Sequence, residues 1–322
     1  MSRSSVGSVT RLVGGVAILA VVVWRLGTGP ILDGLRSVST LPLVAAALIG
    51  VVTTVCAAWR WGLVARGLGV AVPLPRAVAA YYGSQFLNTA LPGGVLGDVH
   101  RGVRHGRDVG DLGRGLRAVA WERFAGQVVQ VILALGVLLV LPSPVRSTVP
   151  VVGAALLAIA LTAFLLRRGA PHQWVQAVSA DVREGLLARQ AWPGITVASV
   201  LVVVGHTATF VIAARSTGSQ ASIATLLPLA LLVLLAMVVP LNIGGWGPRE
   251  GAAAWLFSAA GLGADRGVAT ATVYGVMVLV ASLPGGVALV VARQHRSPVP
   301  AWAPVAVASP RPRVRGEVHA RG

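Results

Sequence analysis

The feature that most constrains this chain is a series of apolar runs, each close to the length that crosses a lipid bilayer. Residues 9–24, 41–58, 124–141, 149–166, 193–214, 223–241 and 267–292 carry almost no charge, and a spanning helix needs about 20 mainly apolar residues. Only 11% of the chain is charged, against 55% hydrophobic. A soluble domain carries roughly 25% charged residues, so too few are present to coat a water-soluble globule. All 27 basic residues are Arg, and the net charge is +17. In so apolar a chain this surplus marks cytoplasmic loops rather than a nucleic-acid surface. The expectation is an all-α polytopic membrane protein with about six to eight transmembrane helices. No small-x-small cleavage site follows the first run, and Arg25 does, so that run is expected to remain as a helix. The single cysteine, Cys56, excludes an internal disulfide framework and a Cys-based zinc site. The absence of Lys excludes a P-loop and Schiff-base chemistry. No cofactor and no metal are expected.

Two further stretches are apolar but interrupted. Residues 77–97 run through Asn88, Pro92 and a Gly cluster to Gly97, and residues 240–262 begin with Pro240, Asn242, Gly244, Gly245 and Gly247. Pro and Gly clusters break helices. At membrane depth a broken backbone survives only where it is buried in protein or lines a wet cavity. A shift of about 152 residues lays one half of the chain on the other, placing Asp98 on Glu250 and Gly97 on Arg249. Each half then reads span, span, broken segment, span, with repeats at about 1–145 and 146–296. Such paired breaks point to a transporter's central site. With both termini cytoplasmic and the first break re-entrant, only Arg25, Arg36, Arg146, Arg215, Arg249 and Arg266 fall outside, and Arg123 sits at a helix entrance. The other arginines lie inside, as the positive-inside rule requires. This arrangement makes the second repeat inverted relative to the first. Residues 297–322, rich in Pro and Arg, read as a disordered cytoplasmic tail.

Three constellations could carry chemistry. In the first, Asp98 and Arg101 are three residues apart and share a helix face. Arg101 could take a phosphate bidentately while Asp98 orients it; the alternative is a plain turn into a helix capped by Asp98. In the second, Glu122 and Arg123 stand at the start of an apolar helix. A charge at the bilayer centre costs about 2.5–3.5 kcal/mol on insertion scales, so partners are expected: Arg101 for Glu122 and Asp98 for Arg123. Snorkelling to the interface is the alternative. In the third, Pro248 suits the first turn of a new helix, which places Arg249 and Glu250 near its N-terminus; a structural turn is the alternative. His206, mid-span, reads as a hydrogen bond to a neighbouring helix. His100 and His105 read as solvated members of a basic loop. Trp24, Trp59, Trp61, Trp192 and Trp302 read as interfacial anchors. Tyr81 and Tyr82 are placed to line a cavity. No catalytic motif is visible.

The sequence Asn88-x-x-x-Pro92-x-x-x-x-Gly97-Asp98-x-x-Arg101, then Glu122-Arg123, then Pro240-x-x-x-Gly244-Gly245-x-Gly247-x-Arg249-Glu250 resembles the lysylphosphatidylglycerol synthase transmembrane, or flippase-like, family. The resemblance covers roughly residues 9–292. It departs at Asp98, where the family commonly carries Glu. The resemblance implies an integral protein of the cytoplasmic membrane acting on lipids. In two-part relatives the membrane region looks like a translocator of aminoacylated phosphatidylglycerol, followed by a transferase domain; here only a short tail follows, so the aminoacylating activity is expected to be absent. Stand-alone relatives are linked with glycolipid or polyprenol-linked sugar pathways. The leading expectation is a non-enzymatic translocator of an anionic phospholipid or lipid-linked sugar, with Arg101, Arg123 and Arg249 on the phosphate and Asp98, Glu122 and Glu250 as counter-charges. The rivals are a membrane partner of a glycosyltransferase and a membrane enzyme acting on a lipid-linked substrate.

Overall fold

A computed structural model describes Trp24 and residues 28–91, 94–141, 172–237 and 247–294. The runs at 9–24 and 149–166, the tail, and Pro92, Pro240, Asn242, Gly244 and Gly245 lie outside the described residues. Every described element is helical. In chain order they are α1 (Gly29–Arg36), α2 (Thr40–Gly67), α3 (Leu74–Ala90), α4 (Leu96–Asp108), α5 (Leu112–Val140), α6 (His172–Ala180) running into a π-helical stretch (Asp181–Leu186), α7 (Trp192–Ser216), α8 (Ile223–Ala236), α9 (Pro248–Ala259) and α10 (Ala264–Gln294). Among them α2, α5, α7 and the Ala264–Leu289 part of α10 are long and apolar enough to cross a membrane.

Two spans are longer than their apolar runs. The run at 41–58 continues as helix to Gly67, and the run at 124–141 begins as helix at Leu112. The extensions carry Arg60, Arg66, Arg114, Arg117 and the Glu122–Arg123 pair, which interrupt hydropathy without interrupting helix. Local signals fix the ends. Asp111 caps α5 by accepting the Arg114 N–H, satisfying one of the orphan donors of a first turn. After α2, Gly69 takes a φ of +74° and Val70 returns its N–H to the Ala65 carbonyl, the usual glycine-terminated helix end.

The element order repeats. Helices start at Thr40, Leu96 and Leu112 in the first half and at Trp192, Pro248 and Ala264 in the second, each pair 152 residues apart. α2 and α7, equivalent under this shift, pack on each other. Gly205 makes that approach possible, since any side chain there would meet Thr53 and Ile49; small residues serve this purpose between membrane helices. One apolar core joins α7 to α10 with Ala46 and Leu138, and a second joins α2, α3 and α5. Leu41, Leu48, Val52, Val55 and Trp59 form an exposed stripe along one face of α2. In water such a stripe would promote aggregation; against lipid it is the required surface.

Candidate functional site

The site is built where α3, α4 and α5 meet α2. The break between Ala90 and Leu96 lets α4 fold back onto α3. Gly97 is buried there, and a Cβ on it would collide with the Ser84 carbonyl. Its N–H donates to the Asn88 side-chain oxygen at 2.8 Å, and the Asn88 amide donates onward to Asp98 at 3.0 Å. Ser84 donates to the other Asp98 oxygen at 2.9 Å. Asp98 is therefore held from α3 rather than capping its own helix. Two arginines complete it, Arg101 at 3.0 Å and Arg123 at 2.9 Å. Burial pushes the Asp98 carboxyl up, but Arg123 and Arg101 outweigh that and hold it well below the usual carboxylate range.

Glu122 is fully buried on α5. One of its oxygens accepts from Arg60 Nε at 2.9 Å and, in a short contact, from Arg60 Nη2, with the Tyr81 hydroxyl at 3.2 Å. The other accepts from Arg101 at 3.0 Å. The two partnerships expected from sequence, Arg101 with Glu122 and Asp98 with Arg123, are both present. Arg60 is the residue that sequence reasoning missed. At the end of an apolar run it reads as a loop cation, yet it is 4% exposed within α2 and also donates to Ser199 of α7 at 3.1 Å. Two signals stand in the sequence: Trp59 and Trp61 flank Arg60, and Gly126, where a Cβ would come within 2.6 Å of its guanidinium, leaves room for it. Unpaired, such buried charges would be strongly destabilising. Arg60, Arg101 and Arg123 share only two carboxylates here, so the network carries one formal positive charge in excess.

Trp61 is not an interfacial anchor. It is 1% exposed and packs against the Arg101 guanidinium, which also meets the Tyr81 ring, with ring centroids 4.5 and 4.3 Å away. Nor is His105 solvated: it is buried, bonds the Val70 carbonyl at 2.8 Å and packs edge-on to Trp61. The basic stretch is helix α4, and its buried side turns the His105 ring inward. His206 does bond a neighbouring helix, through the Tyr274 hydroxyl at 3.0 Å.

In the second half, Pro248 opens α9 and places Glu250 in its first turn. The Glu250 carboxylate accepts the Gly247 N–H at 2.6 Å and Arg249 Nε at 2.8 Å, and both charged residues are buried. Gly247 sits at a φ of +113°, a conformation that favours glycine. The Arg249 guanidinium lies against Gly275 of α10, where any Cβ would collide with it.

Between these two centres lies a cavity of about 280 Å³. Arg60, Arg123 and Arg249 line it, with the amides of Gln85, Asn88, Gln127 and Gln130 and the hydroxyls of Thr53, Thr54 and Ser282. Asp98, Glu122 and Glu250 are not on the wall, and no carboxylate lines it among the described residues. The only acidic residue outside the described ones is Glu317, in the tail. Arg123 keeps its side chain 39% exposed, and its Nε and the Gln127 Oε1 have no hydrogen-bond partner. Arg101 does not reach this cavity, so the three arginines expected to act together are divided. The described residues hold no group of His, Cys, Asp and Glu that could bind a metal.

No curated protein matches the chain. The description of a lysylphosphatidylglycerol synthase TM region matches residues 10–285, which include every site residue described above. With its long apolar helices, the chain is a multi-pass membrane protein with a lipid-related role, and it belongs to the lysylphosphatidylglycerol synthase TM region family.

Proposed function

We propose that the protein translocates the head group of an anionic lipid, a phospholipid or lipid-linked sugar, across the cytoplasmic membrane without nucleotide hydrolysis. The observation that carries this reading is the central cavity, whose wall among the described residues has three arginines and no carboxylate. A phosphate is met there by Arg123 and Arg249, one from each half of the sequence. The amides and hydroxyls suit a head group rich in hydroxyls. An aminoacylated head group would bring an ammonium to a wall with no anion to receive it, so this chain carries an unmodified head group. The two halves act as inverted repeats, and the arginine-rich ends face the cytoplasm. Glu122 and Glu250 serve as counter-charges, since each is already engaged by arginine, and neither acts as a general base.

Reconstitution into liposomes with fluorescent phosphatidylglycerol or a labelled polyprenyl phosphate sugar tests the proposal. Movement between leaflets faster than in empty vesicles, with chemically unchanged lipid, is expected. No movement under any imposed ion gradient would sink it, and chemically altered lipid would replace it with an enzyme.

A further inference from the structure

Charge balance places a demand on the central cavity that head-group passage leaves unmet. Arg249 and Glu250 cancel each other. In the first centre Arg60 and Arg101 share Glu122, and Arg101 and Arg123 share Asp98. Three arginines against two carboxylates leave one positive charge over. A lysine or histidine could discharge it by losing a proton, but a guanidinium stays charged. An uncompensated charge between membrane helices is costly.

The surplus falls on Arg123. Arg60 gives two nitrogens to Glu122 and the third to Ser199, and Arg249 gives two to Glu250. Arg123 gives Nη2 to Asp98. Its side chain is 39% exposed and lines the cavity. Nε is enclosed, whereas Nη1 is open and makes no hydrogen bond among the described residues. Amide donors lie close by. Gln127 and Gln130 follow Arg123 on the same face of α5, Gln85 comes from α3, and all three line the cavity. Thr54 donates to the Gln85 side-chain oxygen at 2.9 Å, which leaves the Gln85 N–H groups to donate elsewhere.

We infer that Arg123 holds a monovalent inorganic anion of the chloride class in the central cavity, with the side-chain amides of Gln85 and Gln127 as further donors. A single charge in excess selects a monovalent ion over a dianion. Arg60 and Arg249 add their field without leaving their carboxylates. The inference stands apart from the proposed translocation, which adds only that a lipid head group displaces the ion. A protein that moved no lipid would bind chloride all the same.

Equilibrium dialysis of radiolabelled chloride against the full-length protein in detergent, at fixed pH and with gluconate holding the ionic strength constant, tests it. Saturable binding is expected, and chloride in place of gluconate should raise the thermal midpoint. Arg123→Gln should weaken binding at least tenfold. It leaves Arg60 and Arg101 against Asp98 and Glu122, a neutral set, so its midpoint in gluconate should be no lower than that of wild type and should not respond to chloride. Arg123→Lys keeps the charge and should retain binding within severalfold. Gln85→Leu removes a donor and no charge and should weaken binding severalfold. Arg66→Gln/Arg107→Gln removes two exposed charges outside the cavity and should bind as wild type does. Displacement of chloride by dioctanoylphosphatidylglycerol supports a shared site; chloride that stays bound keeps the inference and counts against passage of the lipid through this cavity. The inference is overturned if wild type binds no chloride, if folded Arg123→Gln binds it as wild type does, or if sulfate binds more tightly than chloride.

Discussion

The two halves of the sequence solve the same problem differently. Each places an acidic residue in the first turn of a short helix after a break, Asp98 on α4 and Glu250 on α9, 152 residues apart. Each sets an arginine against it. In the first half the arginine comes from the next helix, Arg123, and the residue before the acid is Gly97. In the second half the arginine is the residue before the acid, Arg249, and the position equivalent to Arg123 is Gly275. The guanidinium and the glycine have changed places: Gly275 makes room for the Arg249 guanidinium, whereas Gly97 makes room for the Ser84 carbonyl of α3. The surroundings differ as well. Asp98 and Glu122 bind three arginines and are braced by Ser84, Asn88 and Tyr81, with Ser199 accepting from Arg60, whereas Glu250 completes its helix start and engages Arg249. The first centre is an interlocked polar core, and the second is a compact pair at the edge of the central cavity. The hydrogen bonds to buried carboxylates are concentrated on one side of the cavity.

The largest effect should come from Glu122→Gln. It leaves Arg60 and Arg101 buried without their shared carboxylate, and breaking a buried ion pair costs about 3–5 kcal/mol. Glu250→Gln disturbs one arginine and should cost less. Thermal unfolding in detergent orders the two, and an equal or larger loss in Glu250→Gln would break the contrast.

Next is the exchange of arginine and glycine. Gly275→Ala should cost about 1–3 kcal/mol by overpacking against Arg249, and in an Arg249→Gly background that cost should vanish. Persistence of the cost would show that Gly275 serves some other purpose. The coupling between the two substitutions is read as a double-mutant cycle.

A smaller effect concerns pH. The Asp98 carboxyl is held below its unfolded value, near 3.9, so its contribution is complete above about pH 5 and declines as pH falls through the unfolded value and below. Wild type should lose thermal stability over that acidic range more steeply than Asp98→Asn. Parallel curves would remove Asp98 from the network. The smallest effect is Asp111→Ala, which removes the α5 cap at about 1 kcal/mol and touches neither centre. It serves as the reference for a purely local change.

Much of this comparison was legible in the sequence. The offset between halves, the pairing of Arg101 with Glu122 and of Asp98 with Arg123, and the buried Arg249–Glu250 start of α9 follow from spacing and from the cost of unpaired charge. Arg60 and Trp61 did not follow. Each sits where hydropathy falls, and hydropathy cannot distinguish a helix that has reached water from one that has reached a polar partner. Arg60 finds that partner 62 residues away in the chain, on another helix. His105 was missed for a related reason: in a basic stretch, one inward face is invisible until α4 packs on α3. The division of Arg101 from Arg123 and Arg249 also needed the fold, because the rings that meet the Arg101 guanidinium, Trp61 and Tyr81, come from α2 and α3.

The most direct test of the central claim is leaflet exchange of fluorescent phosphatidylglycerol in liposomes carrying wild type, Arg123→Gln or Arg249→Gln at matched amounts of folded protein. Both variants should lose at least tenfold in rate, because one arginine from each half meets the phosphate in the central cavity. Wild-type exchange rates in both folded variants would contradict the account.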